Sequence, residues 1–141
     1  MTERVVTIKK RFDVAAERVF DAWLDRRLAP QFLFATPDGE MVKAELDPVV
    51  GGAFNFTERR DGKDVAHVGR YLEIVPPRRL VFEFHVSVGP PESTRVTIEI
   101  SPTDGGGCEL SLVHEGVPAE HRDRDQHGWQ TIVDALERLL R

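Results

Sequence analysis

The sequence predicts an α+β domain in which an antiparallel sheet is covered by a long C-terminal helix. Short segments rich in apolar and β-branched residues follow one another between Gly and Pro turns, which is typical of consecutive antiparallel strands. One amphipathic helical segment lies near the start, and another ends the chain. A chain of 141 residues without an evident linker or repeat is expected to form a single domain over residues 1–141.

The first predicted elements are a strand and a pair of helices. Residues 4–12 are rich in Val, Ile and Thr and predict the first strand. Residues 15–24 carry apolar side chains at the i, i+3, i+4, i+7 spacing of an amphipathic helix, which the carboxylate of Asp13 can cap. A second, shorter helical piece is predicted over residues 27–30, where Pro30 ends it.

Further strands fill the middle of the chain. Their predicted bounds are 40–46, 53–58, 65–75, 79–88, 95–101 and 108–115. Asp61-Gly62 is a hairpin signal, and Pro76-Pro77 and Gly89-Pro90-Pro91 end the strands before them. Gly105-Gly106-Gly107 lies between two predicted strands. A phosphate-binding loop needs a helix after it, so we interpret these glycines as a hairpin turn.

The C-terminal helix is predicted by an apolar stripe at the i, i+3, i+4, i+7, i+10, i+11 spacing. The stripe consists of Trp129, Ile132, Val133, Leu136, Leu139 and Leu140. Residues 120–127 before it are far more polar and form either an exposed first turn or a loop. The stripe has the length to cover one face of the sheet.

Composition excludes several classes of protein. A net charge of -5 is not the footprint of a strongly basic nucleic-acid-binding protein. No apolar run approaches the roughly 20 residues of a membrane span, and the start lacks the apolar region of a secretory signal. A lone Cys108 excludes an intramolecular disulfide and a cysteine zinc cluster, and the histidines show no metal-ligand spacing. We therefore expect a cytoplasmic protein with no metal and no cofactor.

Several segments, taken in order, carry a family resemblance. They are the opening strand with Ala16–Trp23, the turn at 48–54, the strand and turn at 69–74 and 76–82, and Gly128-Trp129 at the helical stripe. They resemble the activator of heat-shock protein 90 ATPase homologue family, of the START-like (SRPBCC, Bet v 1-like) superfamily, over nearly the whole chain. Phe32 and His85 depart from the family pattern, because tryptophan is common at both positions.

The resemblance implies a helix-grip fold, in which a curved antiparallel sheet wraps around the C-terminal helix. Between helix and sheet it implies a cavity for apolar or amphipathic molecules, and it brings no shared catalytic motif. A ligand cavity has a typical volume of roughly 300–1,000 Å³. The predicted lining is Trp23, Phe32, Phe54, Phe56, Phe82, Phe84, His114, Trp129 and Val133. The alternative is that these side chains are simply core, as aromatic residues often are.

Two polar residues could give such a cavity its chemistry. His114 shares a strand face with Leu110 and Leu112, so it is expected to point inward. There it could orient a ligand carbonyl or carboxylate, or act as a base, and the alternative is a core histidine bonded to backbone. Arg70 has an ambiguous register, so it is either exposed or paired with an anion inside.

Three functions follow as hypotheses. The first is a small soluble module that binds an apolar or amphipathic small molecule or lipid. The second is an enzyme of the polyketide cyclase/hydratase kind, for which His114 with Tyr71 or Arg70 would be the polar pair, although no catalytic residue is assigned. The third is a chaperone-linked interaction module. We do not expect ATPase activation, because the chain leaves no room for the additional N-terminal domain of the eukaryotic protein that names the family. A homodimer stays open.

Overall fold

The computed structural model describes residues 4–141, so residues 1–3 of the predicted domain lie outside the described residues. The strands are β1 Val5–Phe12, β2 Glu40–Leu46, β3 Ala53–Arg60, β4 Lys63–Val75, β5 Arg79–Val86, β6 Thr94–Pro102 and β7 Cys108–Glu115. The helices are α1 Ala16–Trp23 and α2 Arg122–Leu139, with short 3₁₀ turns at Ala29–Gln31 and Ala119–His121. The strands form one seven-stranded antiparallel sheet in the order β1-β7-β6-β5-β4-β3-β2.

The predicted α+β class is confirmed, and most differences concern element ends. The second helical piece, predicted over residues 27–30, is instead the 3₁₀ turn Ala29–Gln31, and Pro30 lies inside it and does not end it. The hairpin between β3 and β4 turns on Asp61 and Gly62, whose φ angles of 50° and 77° suit a tight two-residue turn. The predicted strand 79–88 ends at Val86. The predicted cap by Asp13 was wrong, because the N-cap residue of α1 is Ala15 and no side chain among the described residues caps the helix.

The polar segment before the apolar stripe is helical. It forms the 3₁₀ turn Ala119–His121 and the first turns of α2. The buried residues of α2 begin only at Trp129 and continue through Ile132, Val133 and Leu136. The first turns of α2 therefore extend a helix whose packing begins at Trp129, and they place no buried side chain in the core.

The core lies between one face of the sheet and the two helices. Strand alternation places one side of each central strand inward, as in β7, where Leu110, Leu112 and His114 are buried. Lys10 of β1 binds Asp134 of α2 at 3.0 Å, and Arg18 of α1 donates to the carbonyl of Leu140 at 3.2 Å. These contacts fix the C-terminal half of α2 against β1 and α1.

No helix among residues 4–141 is both long enough and apolar enough to cross a membrane.

Candidate functional site

A large cleft opens between the sheet and the N-terminal half of α2. Its volume is about 1300 Å³. The walls come from the start of β4, the ends of β5 and β7, the connection from β5 to β6, and the segment that leads into α2. The cleft therefore lies at the end of the molecule where α2 has not yet entered the core.

The floor of the cleft is a cluster of four rings, Phe34, His67, Phe84 and Trp129, which we call the aromatic floor. Phe34 lies at its centre, stacked on His67 with ring centroids 4.4 Å apart. Its ring lies 4.9 Å from that of Phe84 and 5.9 Å from that of Trp129. Phe34 and His67 are nearly parallel, and the other rings are tilted against Phe34. Together they form an aromatic surface against which a hydrocarbon or ring can pack.

A buried carboxylate holds the loop that carries Phe34. Glu58 of β3 is 1% exposed and accepts hydrogen bonds from the Thr36 amide at 2.7 Å and the Thr36 hydroxyl at 2.8 Å. Arg60 donates to Glu58 at 2.5 Å and to the Phe34 carbonyl at 3.2 Å. Phe34 has a φ of 59°, a conformation that non-glycine residues rarely adopt. The Glu58–Arg60 pair stabilises this backbone conformation, because Arg60 binds the Phe34 carbonyl and Glu58 binds Thr36 two positions later.

The two hydrogen-bond partners of His114 determine its tautomer. The indole N–H of Trp129 can only donate, and it donates to Nδ1 of His114 at 2.9 Å. A neutral His114 must then carry its proton on Nε2, which lies 2.7 Å from the Thr94 hydroxyl oxygen. Burial lowers the pKa of His114 to about 4, so the ring is neutral at pH 7. Thr94 accepts from His114 and keeps its own hydroxyl proton for another partner.

His67 has the opposite tautomer. Its Nδ1 lies 3.1 Å from the Phe56 carbonyl, which can only accept, so Nδ1 carries the proton. Burial lowers the pKa of His67 to about 4. Among the described residues Nε2 has no hydrogen-bond partner, and His67 lines the cleft. His67 therefore offers an acceptor where Thr94 offers a donor.

The rim of the cleft carries charges of both signs. Arg4 and Arg124 are cationic, and Glu92 and Asp125 are anionic. Arg4 is held in place, because its guanidinium donates to the Gly116 carbonyl at 3.1 Å. Arg60 also lines the cleft, where its charge is paired with that of buried Glu58, so charges of both signs surround an interior of neutral rings.

A second, closed gap lies deeper, beyond the aromatic floor. Its walls are Trp23, Leu33, Phe54, Tyr71, Leu80 and Phe82, and it has no room for a water molecule. Trp23 Nε1 and Tyr71 Oη are buried and have no hydrogen-bond partner in the described part of the chain. Burial raises the pKa of the Tyr71 phenol, so the hydroxyl keeps its proton.

The structure divides the predicted cavity residues into three groups. Phe84, His114 and Trp129 line the cleft. Trp23, Phe54 and Phe82 line the closed gap. Phe32, Phe56 and Val133 are fully buried and line neither space.

The polar residues considered for catalysis do not meet. Arg70 is exposed, Tyr71 lies at the closed gap, and both ring nitrogens of His114 are hydrogen bonded. Of the two departures from the family pattern, His85 lines the cleft and Phe32 belongs to the core. Across residues 4–141, no three metal-ligating side chains come close enough together to hold an ion.

Several site residues were missed from the sequence. Glu58 and His67 continue the inward alternation of Phe54–Phe56 and of Val65, so periodicity gave a signal for both. Phe34 lies in a loop with no periodicity. Thr94 becomes significant only through its contact with His114, which is 20 positions away in sequence.

Solved structures show the same fold. A protein from Chromobacterium violaceum is 28% identical, with a TM-score of 0.83 over 96% of this chain and 96% of that chain. A protein from Rhodobacter sphaeroides is 22% identical, with a TM-score of 0.82 over 97% of this chain and 91% of that chain. A Staphylococcus aureus protein described as of unknown function is 18% identical, with a TM-score of 0.80, and the match covers 94% and 91% of the two chains. A search of the curated proteins finds no match.

These structures confirm the expected helix-grip-like architecture. A family profile adds the sequence-level test. The profile of the activator of Hsp90 ATPase homolog 1-like proteins matches residues 13–141, which is nearly the whole chain. The family expected from the sequence is therefore confirmed, and the chain belongs to the activator of Hsp90 ATPase homolog 1-like protein family.

Proposed function

We propose that this protein binds an amphipathic small molecule with a neutral polar head in the cleft between α2 and the sheet. The observation that carries the proposal is a cleft of about 1300 Å³ whose aromatic floor includes an oriented acceptor, His67, and lies beside an oriented donor, Thr94. The volume exceeds the roughly 300–1,000 Å³ of a common ligand pocket, so it leaves room for a ligand together with water. The apolar part of the ligand packs on the aromatic floor.

The head group is defined by hydrogen-bond direction. The Thr94 hydroxyl oxygen accepts a hydrogen bond from Nε2–H of His114, so its own O–H can donate a hydrogen bond to a ligand acceptor. His67 Nε2 accepts from a ligand donor, because its Nδ1 proton is held by the Phe56 carbonyl. A head that carries both a hydroxyl and a carbonyl or ether oxygen satisfies both partners. Monoacylglycerols and hydroxylated ring compounds have this chemistry.

The first experiment uses 1-octanoylglycerol, which has a neutral head with hydroxyl groups and an apolar tail. The probe is titrated into ¹⁵N-labelled protein while the indole N–H resonance of Trp129 is followed. We expect a saturable shift of that resonance, because Trp129 is part of the aromatic floor and holds His114. Native mass spectrometry of the purified protein tests in parallel whether such a molecule co-purifies.

Thr94→Val is the decisive variant, since valine keeps the shape and removes the hydroxyl. Loss of one neutral hydrogen bond is expected to weaken 1-octanoylglycerol binding about five-fold. Thr97→Val is the matched control, because Thr97 lies on the same strand and, by strand alternation, on the other face of the sheet. Equal affinity of both variants, or no shift with the wild-type protein, would overturn the proposed head-group site.

A further inference from the structure

We infer that the cleft has an inner subsite, beyond Phe34, which binds a neutral carbonyl oxygen in the apolar part of the ligand through Trp23 Nε1 and Tyr71 Oη. This inference rests on the proposed function and adds a feature of the ligand. Its basis is that two residues of the same closed gap each carry a buried polar atom with no hydrogen-bond partner among residues 4–141.

Two unpaired polar groups at one gap are unusual in a protein core. Buried polar side-chain atoms nearly always have a hydrogen-bond partner, because leaving one unpaired forfeits the hydration that the group had in water. Trp23 is 1% exposed and Tyr71 is 2% exposed, so neither polar atom reaches solvent. Both rings are held by neighbours: Trp23 packs edge-on to Phe32 at 5.1 Å, and Tyr71 packs on Phe54 at 5.2 Å. The packing therefore fixes both side chains, while neither polar atom has a hydrogen-bond partner among the described residues.

The donor pattern defines the chemistry of the occupant. An indole N–H can only donate, and the phenol of Tyr71 is protonated and can donate too. Two donors match one oxygen with two lone pairs, as in a ketone or ester carbonyl. The remaining walls are Leu33, Phe54, Leu80 and Phe82, with no cation among them. Arg26 and Asp47 both act on the Tyr71 hydroxyl with opposite charges, so a carboxylate would lose its hydration there without a net counter-charge, and a neutral carbonyl is the better fit.

Phe34 separates this gap from the open cleft. Its ring stacks 6.3 Å from Phe54, which lines the gap, and 4.9 Å from Phe84, which lines the cleft. The backbone of Phe34 is held by Arg60 and, through Thr36, by Glu58. A rotation of the Phe34 side chain, with its backbone held, joins the two spaces. The gap has no room even for water, so it must widen to admit the carbonyl.

The test uses 2-octanone, a neutral ketone whose only polar atom is its carbonyl oxygen. The indole N–H resonances of Trp23 and Trp129 report separately on the subsite and the cleft, and Trp129→Phe assigns them. We expect 2-octanone to shift the Trp23 resonance downfield in a saturable way, as a new hydrogen bond forms. A shift of Trp129 alone would overturn the subsite and leave the cleft site standing, and a shift of neither resonance would overturn the subsite as well.

Two variants locate the carbonyl. Tyr71→Phe should weaken 2-octanone about five-fold through the loss of one hydrogen bond, while the control Thr97→Val, on the other face of the sheet, leaves its affinity unchanged. Weakening by Thr94→Val with no effect of Tyr71→Phe would place the carbonyl at Thr94 and overturn the subsite, but it would agree with the proposed function. Tyr71→Phe should also leave the urea midpoint of the free protein unchanged or higher, because the hydroxyl that it removes is unpaired. A lower midpoint would mean that the hydroxyl is already satisfied and would contradict the inference.

Discussion

The indole of Trp129 donates a hydrogen bond to His114 at 2.9 Å and so joins α2 to β7 across the floor of the cleft. This one contact determines the tautomer of His114, and the tautomer determines that Thr94 is an acceptor toward the protein. Trp129 of α2 thereby sets the hydrogen-bond direction of Thr94 in β6, although the two are connected only through His114. The polar side of the cleft is consequently an outcome of how α2 packs.

Removing the Trp129 ring should be costly, because it is both core and hydrogen-bond donor. We expect Trp129→Ala to lower the free energy of unfolding by about 3–5 kcal/mol, as large aromatic truncations do. Trp129→Phe keeps most of the ring and leaves Nδ1 of His114 unpaired, for an expected loss of about 1–3 kcal/mol. Urea denaturation measures both, and a loss under about 1 kcal/mol for the alanine variant would mean that Trp129 is not part of the core.

Acid should destabilise the protein through its two buried histidines. Burial lowers the pKa of both His67 and His114 to about 4, from 6.5 for an unperturbed histidine. Between those values the unfolded chain binds more protons than the folded chain, so stability falls as pH falls from 6.5 toward 4. Each histidine contributes a slope of up to about 1.4 kcal/mol per pH unit.

Urea denaturation between about pH 7 and pH 5 measures this slope. His67→Asn keeps a donor for the Phe56 carbonyl, because the asparagine amide nitrogen takes the position of Nδ1, and it removes the titrating group. The part of the slope that His67 contributes should therefore disappear. His127→Asn, at an exposed histidine, is the matched control variant. An unchanged slope in His67→Asn would show that His67 is not held neutral by the fold.

Glu58→Gln should loosen the loop that carries Phe34. The carboxylate of Glu58 is buried and binds Thr36 and Arg60. Replacing it with an amide leaves Arg60 without its anion and is expected to cost about 2–3 kcal/mol. Glu99→Gln is the control, because Glu99 pairs with Arg79 on the exposed face and such pairs contribute little. Equal urea midpoints for the two variants would contradict the role given to Glu58.

Two glycines should respond to alanine with opposite signs. A Cβ at Gly69 would collide with the carbonyl oxygen of Glu83 and the ring of Phe54, so Gly69→Ala should cost about 2–3 kcal/mol through overpacking. A Cβ at Gly128 meets nothing within 4 Å, and Gly128 lies inside α2. Gly128→Ala should therefore stabilise by about 0.5–1 kcal/mol, since alanine favours the helix. Thermal unfolding of the two variants checks both signs.

The fold was predictable because it is encoded in periodicity. The alternation Val96, Ile98, Ile100 and the helical stripe from Trp129 to Leu140 each indicate one buried face, and the structure buries those faces. The site was less predictable because it depends on the directions of single hydrogen bonds. Whether His114 is a free base or a bonded ring depends on Trp129 and Thr94, and no local pattern connects these three residues. Aromatic residues were also indistinguishable by type, although Phe82 lines the closed gap and Phe84, two positions later, lines the cleft.

The late start of the buried stripe in α2 has a consequence for ligand size. From Arg122 to Gly128 the helix forms one bank of the cleft but supplies no side chain to the apolar interior. That bank is tied to β1 by Arg122, which donates to the carbonyl of Val5 at 3.1 Å, whereas Ile132, Val133 and Leu136 are packed in the core. In the proposed binding function, guests of different girth are admitted at the cost of this surface hydrogen bond and not of the core packing.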